Sequence, residues 1–379
     1  MASVSHSTSD LRVASRPVGT APTRLASLDL FRGTTIAAMI LVNNPGSSAA
    51  YRPLRHAAWN GWTPTDLIFP FFVFIVGVSL VFSSQSRLAS GQSRRLLAMH
   101  ALRRSAILSG IGLLLNFLVN PHLATVRIPG VLQRIAVAYL AASLITLFCQ
   151  TRTRVACVAV LLLGYWALMC FVPVPGYGMP GRDIALLHPD GNLAAFLDRR
   201  LMLGHLWEPT RDPEGVLSTL PTIATALCGV LTGEWLRSNR SMERKAAGMF
   251  ALGVLGLIAG EAWSIWFPIN KKLWTSSYVI FTAGFALVCL AACYWALDVK
   301  KLHGWWSKPF LIFGTNAIAA YVISELLGGS FGWKELIFQH WFAHIASPGL
   351  ASLLYATFVL ALCFLPIWWL SRKRIFLKV

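Results

Sequence analysis

Apolar stretches long enough to cross a lipid bilayer follow one another along most of the chain. Hydrophobic residues make up 56% of the sequence, charged residues 13%, and the mean hydropathy is +0.60. A chain this apolar exposes more hydrophobic surface than a soluble enzyme can bury, so we predict an all-α, polytopic membrane protein. Its ten helices are predicted at Leu28–Asn43, Leu67–Phe82, Ser105–Val119, Val131–Cys149, Val155–Val172, Thr219–Leu236, Ala246–Phe267, Ser276–Leu297, Phe310–Leu327 and Gly349–Leu370.

The basic residues indicate the orientation of these helices. With ten spans and both termini cytoplasmic, 21 Lys and Arg lie on the cytoplasmic side and 10 on the opposite side. The net charge of +18 is spread over short clusters between apolar runs, so membrane topology explains it better than nucleic-acid binding. Residues 1–24, rich in Ser, Thr, Ala and Pro, are predicted to be a disordered cytoplasmic tail, and residues 25–379 a single transmembrane domain.

Two opposite charges lie near the cytoplasmic end of the first predicted helix. Asp29 and Arg32 are three residues apart and therefore share a helix face. Unpaired charges at this depth cost several kcal/mol, so the two side chains are expected to pair. The pair either only positions the helix, or it leaves Arg32 to help hold an anionic ligand that arrives from the cytoplasm.

The loop after the first helix carries the best candidate for acid–base chemistry. His56 is followed by Trp59 and Asn60, which are potential hydrogen-bond donors, and by Asp66 just before the second helix. An imidazole ordinarily titrates near neutral pH, so His56 suits a general base or an acyl acceptor, although a solvated loop histidine is the commoner case. Asp66 is either a helix N-cap or the partner that orients the histidine ring.

Other polar residues suggest binding rather than metal chemistry. Asp212 and Glu214 lie in the long loop before the sixth helix. They are candidates for recognising an ammonium group or sugar hydroxyls, or their negative charges interact favourably with the positive N-terminal end of that helix. His340 and His344 have a spacing that can hold zinc, but no third ligand is nearby in the sequence, and we predict no metal. Nucleotide-binding and serine-esterase motifs are absent from the sequence.

Six ordered motifs resemble one family, the transmembrane acetyltransferases related to heparan-α-glucosaminide N-acetyltransferase, including the bacterial NagX-like members. The similarity extends from Leu25 to Val379. The motifs are SLDLFRG from Ser27, HAAWNGWTPTDLIFPFFVFIVG from His56, VRIPGVLQRI from Val126, DPEGVLSTLP from Asp212, NKKLWTSSYV from Asn270 and RKRIFLKV from Arg372.

The resemblance implies transfer of an acetyl group from cytosolic acetyl-CoA to the amine of a glucosamine residue across the membrane. The catalytic histidine of the family matches His56, and a family asparagine matches Asn43, with Asn44 as the alternative. The large luminal region of the lysosomal member has no counterpart here, which favours a small amino sugar or cell-wall fragment as acceptor. A bacterial inner membrane is the expected location, and a homodimer is left open.

These expectations assign the remaining residues to two groups. The predicted acetyl-CoA contacts are Arg32, Arg103, Arg104, Lys300, Lys301, Arg372 and Lys373, with membrane anchoring as the alternative for the basic clusters. The predicted acceptor contacts are Trp59, Asn60, Asp66, Asp212, Glu214, Asn270 and Trp274. A secondary transporter of sugars or amino sugars and a glycan O-acyltransferase remain the alternative functions.

Overall fold

The computed structural model describes residues 25–329, 333–345 and 347–376, so the predicted tail lies outside the described residues. These ranges are helical, and they hold isolated β-bridges but no β-strand. The α-helices are α1 (Ala26–Asn43), α2 (Ile68–Ala89), α3 (Arg94–Val119), α4 (Val131–Phe148), α5 (Thr151–Phe171), α6 (Leu193–Met202), α7 (Thr219–Arg237), α8 (Met242–Ser264), α9 (Ser276–Tyr294), α10 (Lys308–Thr315), α11 (Ala317–Gly329), α12 (Trp333–Ile337) and α13 (Pro348–Arg372). Short 3₁₀ turns lie at Arg52–Leu54, Pro64–Leu67 and Trp305–Ser307, and π-helical turns at Trp295–Val299 and Phe338–Phe342.

The all-α membrane fold is confirmed, and helices occupy all ten predicted positions. Among the described residues, seven helices are long and apolar enough to cross a bilayer, or eight when α10 and α11 count as one span. The number ten is therefore not confirmed. The helices α1 and α7 fall outside the seven, and each carries many buried residues. A helix that packs against protein on most sides needs less apolar surface than one that faces lipid.

The bundle has an inner and an outer set of helices. In the most apolar part of α2, 72% of the residues are buried, against 17% in α3 and in α5 and 22% in α8, so these three helices belong to the outer set. The inner helices α2 and α7 cross at glycines. A Cβ atom at Gly77 would lie 1.9 Å from the Ala226 carbonyl oxygen, and one at Gly229 would lie 2.0 Å from that of Phe74. Only glycine permits this approach of the two backbones.

The predicted helix Phe310–Leu327 is broken in two. The axes of α10 and α11 form an angle of 83°. Asn316 lies between them, with φ −133°, and its amide group donates to the Ile375 carbonyl oxygen at 3.1 Å. The asparagine side chain thus bonds to the segment that follows α13, and α10 ends at Thr315, the residue before Asn316. The broken segment directs α11 towards the end of α1 at which Asn43 lies.

Four loops pack together over one end of the bundle, and we call this end the His56 end. They are residues 44–67, 120–130, 172–218 and 265–275. The Trp59 indole donates to the Leu187 carbonyl oxygen at 2.7 Å, and His205 Nδ1 lies 2.7 Å from the Val126 carbonyl oxygen. Tyr165 and Phe267 belong to the apolar cluster beneath these loops. The loops are therefore a packed layer that can hold side chains in fixed positions.

Candidate active site

The His56 ring is held by a buried carboxylate. His56 Nδ1 lies 2.7 Å from Asp66 Oδ1, and the Asp66 side chain is 1% exposed while that of His56 is 44% exposed. Asp66 Oδ2 accepts the backbone N–H groups of Ala57 and Thr63, each at 3.0 Å. Since an ionised carboxylate only accepts hydrogen bonds, Nδ1 carries the proton and Nε2 presents its lone pair. Asp66 thus orients an imidazole that stays nearly half exposed.

The sequence offered Asp66 as a helix N-cap or as the partner that orients the histidine ring; the first is wrong, because the N-cap is Thr63, and the second contact is present. Thr63 is the N-cap of the 3₁₀ turn Pro64–Leu67, and Asp66 is its third residue, which completes a capping box. The same carboxylate binds His56. Because the turn leads directly into α2, the position of the histidine is tied to the start of an inner helix.

Lys271 is a member of this site that the sequence did not single out. Its Nζ lies 3.1 Å from both ring nitrogens of His56, so its ammonium group can donate to Nε2. Burial lowers the pKa of Lys271, and the charges of Glu214 and Asp66 oppose this effect. The signal available in the sequence was its place within NKKLWTSSYV, next to the predicted Asn270. Its pairing with His56, 215 residues away, depends on how the loops pack.

The Lys271 loop is attached to the His56 loop through Asn270. The Asn270 amide group donates to Asn60 Oδ1 at 3.1 Å, while its own oxygen accepts the Leu273 N–H at 3.0 Å. Nearby, the Gly61 N–H donates to the Ile269 carbonyl oxygen at 2.8 Å. Asn270 is fully buried. Both predicted asparagines therefore join the loops that carry His56 and Lys271.

Trp274 lies in the core beneath the site. It is 1% exposed, its indole donates to Thr225 Oγ1 at 3.1 Å, and its ring packs edge-on against Phe69 and Tyr278. The Tyr278 hydroxyl in turn donates to the backbone carbonyl oxygen of Asp66. The structure thus places Trp274 under the loops as a support and gives it almost no exposed surface for a ligand.

Asp212 and Glu214 surround Arg127. The guanidinium donates to both oxygens of Asp212, at 2.9 and 2.6 Å, and to Glu214. Asp212 also accepts the backbone N–H groups of Trp207 and of Glu214, at 2.7 and 2.8 Å. Burial works to lower the pKa of Arg127, but the hydrogen bonds and charges of the two carboxylates raise it above its ordinary value. Both predicted acids are thus committed to an internal ion pair, which the sequence did not indicate.

Trp59 lines a small cavity beside the ion pair, with about 10 Å³ of space that water-sized groups can occupy. Its ring lies between two cations, with the Arg211 guanidinium carbon at 5.3 Å and Lys272 Nζ at 5.7 Å from the ring centre. Glu208 pairs with both cations. Burial raises the pKa of Asp198, another lining residue, to about 6. Trp59 and Asp212 therefore line one cavity, and their contact with an acceptor stays a prediction.

The two candidate asparagines at the end of α1 have different surroundings. Asn44 is 5% exposed, and its amide group donates to the Ile40 carbonyl oxygen at 2.8 Å and to Ser324 Oγ at 2.9 Å. Asn43 is exposed, and its side chain hydrogen-bonds to the Glu325 carboxylate. Of the two, Asn43 is the one that a ligand can reach.

At the opposite end of α1 the predicted ion pair is confirmed. Arg32 donates to Asp29 Oδ1 at 2.9 Å, to Ser79 Oγ at 2.6 Å and to the Gly314 carbonyl oxygen at 3.3 Å. Arg32 lies eleven residues before Asn43, about 17 Å along the helix. Any reaction that uses both ends of α1 must therefore bridge most of the width of the bundle.

The remaining basic candidates lie on separate segments. Arg103 and Arg104 lie inside α3, which starts at Arg94 and so begins well before the predicted Ser105. Arg104 stacks over Tyr139, Lys300 over Trp295 and Arg372 over Trp368, with distances to the ring centres of 4.7, 5.1 and 5.2 Å. Lys301 and Lys373 are exposed. Stacking of a cation on an aromatic ring near a helix end, as for Lys300 and Arg372, is typical of anchoring at a membrane interface, whereas Arg104 and Tyr139 lie within the length of their helices.

Metal ligation has no support in the ranges that the structure describes. No group of three or more His, Cys, Asp or Glu side chains in those ranges could hold a metal ion. His340 Nδ1 lies 2.8 Å from the Leu336 carbonyl oxygen, a contact within its own helix.

Comparison with known proteins identifies the family of the chain. Residues 24–267 match the family model described as heparan-alpha-glucosaminide N-acetyltransferase, catalytic, and the chain belongs to this family. It is 33% identical to the mouse heparan-alpha-glucosaminide N-acetyltransferase over 94% of its length, and 32% identical to the human protein over 98%. The chain spans about 60% of the length of these relatives. His56 and Asp66 fall inside the matched range, whereas Lys271 and Glu325 follow it.

Proposed function

We propose that the protein transfers an acetyl group from cytosolic acetyl-CoA to the amine of a glucosamine-type amino sugar on the other side of the membrane. The observation that carries this proposal is the half-exposed imidazole of His56, oriented by the buried Asp66 at one end of a membrane-embedded bundle. Membership of the N-acetyltransferase family supports it. Residues 25–379 act as one domain in this proposal.

His56 acts as the general base. The amine nitrogen attacks the thioester carbon, and His56 Nε2 takes the proton that the nitrogen loses. The Asp66 carboxylate stabilises the imidazolium that results. When the carbon–sulfur bond breaks, His56 returns the proton to the CoA sulfur. Direct transfer of this kind needs one acyl step, whereas an acetyl-imidazole intermediate on His56, the alternative, needs two and exposes a hydrolysable group to water.

Lys271 and Asn43 assist through charge and hydrogen bonding. In the resting site the Lys271 ammonium group occupies the neighbourhood of Nε2, so it has to shift when substrate binds. From a shifted position it favours the negative charge that develops on the thioester oxygen or on the leaving sulfur. The Asn43 amide can donate to the same oxygen, an interaction worth about 3 kcal/mol in other acyl transfers.

Acetyl-CoA enters from the cytoplasm, at the Arg32 end. Its phosphates need counter-charges, and the candidates are Arg32, Arg103, Arg104, Lys300, Lys301, Arg372 and Lys373. The contacts of Arg32 with Asp29 and Ser79 make it a support for the entrance more than a free phosphate ligand. Because Arg32 and Asn43 are about 17 Å apart along α1, the pantetheine arm must cover this distance to bring the thioester to the His56 end.

The acceptor sugar binds among the loops at the His56 end. Trp59 is a predicted contact that lines a cavity there, whereas Asn60, Asp66, Asn270 and Trp274 position the loops. We place the protein in a bacterial inner membrane, and we propose the homodimer only as a state to be tested by its mass in solution.

The deciding experiment mixes the purified protein with acetyl-CoA and glucosamine. The proposal predicts free CoA thiol and a product whose fragmentation in mass spectrometry places the acetyl group on nitrogen. An O-acetylated product would establish the glycan O-acyltransferase instead. No CoA release, together with uptake of glucosamine into proteoliposomes, would establish the transporter.

A further inference from the structure

A second cavity lies between α3, α4 and α11, next to the loop 120–130 at the His56 end, to which its lining residue Asn116 is hydrogen-bonded. It is partly open and has about 40 Å³ of space that water-sized groups can occupy. That is enough for an ammonium group and a neighbouring hydroxyl, since about 10–15 Å³ of such space holds one water molecule. Its lining residues are Gly112, Leu115, Asn116, Val119, Val131, Leu132, Gln133, Tyr321 and Glu325. Among these nine residues, Glu325 is the one carboxylic acid and none is basic, so the cavity favours a cation.

Glu325 is positioned by its neighbours with its carboxylate at this cavity. The Tyr321 hydroxyl, one turn earlier on α11, and the Asn43 amide on α1 both hydrogen-bond to it. The charge of Arg127 acts on Glu325 as well, but its guanidinium is bound to Asp212 and Glu214. Glu325 therefore keeps capacity for a further donor, and it lies next to Asn43, the residue proposed to contact the thioester.

Gln133 adds a donor to the same cavity. Its Nε2 is buried and has no hydrogen-bond partner within the described chain. Its Oε1 lies against two glycines, so that a Cβ atom at Gly112 would be 2.3 Å from it and one at Gly130 would be 2.6 Å away. The rest of the wall is largely aliphatic. A carboxylate, an unused amide donor and apolar walls together match a sugar that carries both an ammonium group and hydroxyls.

We propose that this cavity is the amine subsite of the acceptor sugar and that Glu325 binds the ammonium group and takes its first proton. This inference rests on the proposed function. An ammonium nitrogen has no lone pair, so one N–H bond must break before attack, and that proton passes to a Glu325 oxygen. The neutral amine then attacks the thioester carbon, and His56 takes the second proton and delivers it to the CoA sulfur. The proton on Glu325 leaves to water, so the reaction releases one proton in total.

The test is a binding measurement without acetyl-CoA. Calorimetric titration of the purified protein in detergent at pH 7 compares glucosamine with N-acetylglucosamine, which has no ammonium group. Wild type should bind glucosamine more tightly. Glu325→Gln should weaken glucosamine binding about tenfold or more and leave N-acetylglucosamine binding nearly unchanged, because it removes only the charge. Glu335→Gln removes an equal charge from the exposed surface of α12 and should bind both sugars as wild type does.

Equal affinity of wild type and Glu325→Gln for glucosamine would overturn the proposal. If that variant does not fold, Gly112→Ala tests the cavity itself. Its Cβ atom displaces Gln133 into the cavity and should weaken both sugars alike, so unchanged binding would overturn the subsite. Turnover separates this inference from the proposed function. If wild type releases CoA and Glu325→Gln binds glucosamine normally, only the inference fails. If Glu325→Gln binds glucosamine weakly but wild type releases no CoA, only the transfer reaction fails.

Discussion

Two groups of charged side chains lie at the His56 end of the bundle, and they use similar residues in different ways. In the Arg127 group, the carboxylates of Asp212 and Glu214 are almost fully buried and close around one guanidinium. In the His56 group, Asp66 is equally buried, but the histidine it binds is 44% exposed. A carboxylate by itself therefore identifies neither group as catalytic. What distinguishes the His56 group is a titratable partner that is fixed on one side and accessible on the other.

The largest effect that separates the two groups is expected from His56→Ala. Loss of the general base should lower kcat by roughly a hundred- to ten-thousand-fold. Affinity for acetyl-CoA should change little, because the nucleotide end of acetyl-CoA supplies most of its binding. The measurement is steady-state CoA release together with acetyl-CoA binding by calorimetry. Near-normal turnover at saturating substrates would remove His56 from the mechanism.

Asp66→Asn tests whether orientation of the ring matters. The asparagine oxygen can still accept hydrogen bonds, but the neutral amide cannot stabilise an imidazolium. Its NH₂ group must also face either His56 Nδ1 or the backbone N–H groups of Ala57 and Thr63, all of which donate to Asp66 in the wild type. We expect a loss in kcat of about a hundredfold, with KM for acetyl-CoA nearly constant. Thr63→Ala serves as the control, since it leaves the carboxylate and the Thr63 N–H in place. A similar loss in Thr63→Ala would mean that capping of the turn, not the contact with His56, is what activity requires.

Substitution in the Arg127 group should lower the stability of the protein and leave its turnover nearly unchanged. Arg127→Met leaves two carboxylates buried without their cation, which costs about 3–5 kcal/mol. Thermal unfolding of the purified variant should shift down clearly, while kcat per folded molecule stays within several-fold of wild type. Arg182→Met removes a highly exposed partner of Asp183 and should leave the unfolding temperature unchanged. If Arg127→Met were as stable as wild type but inactive, the group would belong to the catalytic machinery.

The smallest expected effect concerns Asp198, which lies between Arg127 and Asp212 in sequence and lines the Trp59 cavity. Burial raises its pKa to about 6, so between about pH 4 and 6 the folded protein keeps a proton that the unfolded chain releases. Its contribution to stability falls as pH rises through this window and stays lost above it. Asp198→Asn cannot ionise. Between pH 5 and 7.5 the variant should therefore gain about 1–2 kcal/mol relative to wild type. A difference in unfolding temperature that does not vary with pH would contradict this.

The sequence predicted what depends on local pattern. Hydropathy located all ten helical segments, and the spacing of three residues predicted the pairing of Asp29 with Arg32. The contact between His56 and Asp66, ten residues apart within one loop, was among the alternatives. The break at Asn316 was missed, because apolar residues continue on both sides of it.

Contacts between distant segments could not be predicted in the same way. Lys271 beside His56, Arg127 between Asp212 and Glu214, and Glu325 beside Asn43 each join parts of the chain that only helix packing brings together. A single lysine or glutamate in an apolar protein looks like an anchor or a capping residue until its partner is known. Periodicity specifies which face of a helix is apolar, but it does not specify which helix lies opposite.

Acetyl transfer from one side of the membrane to the other is the central step of the proposed function. Proteoliposomes loaded with acetyl-CoA and placed in glucosamine, with neither compound able to cross the lipid, test it directly. Protein molecules whose Arg32 end faces the vesicle interior should form N-acetylglucosamine outside and free CoA inside. His56→Ala should form neither product. A second set of vesicles holds both substrates on the same side of the membrane. Formation of both products on that side would contradict transfer across the membrane.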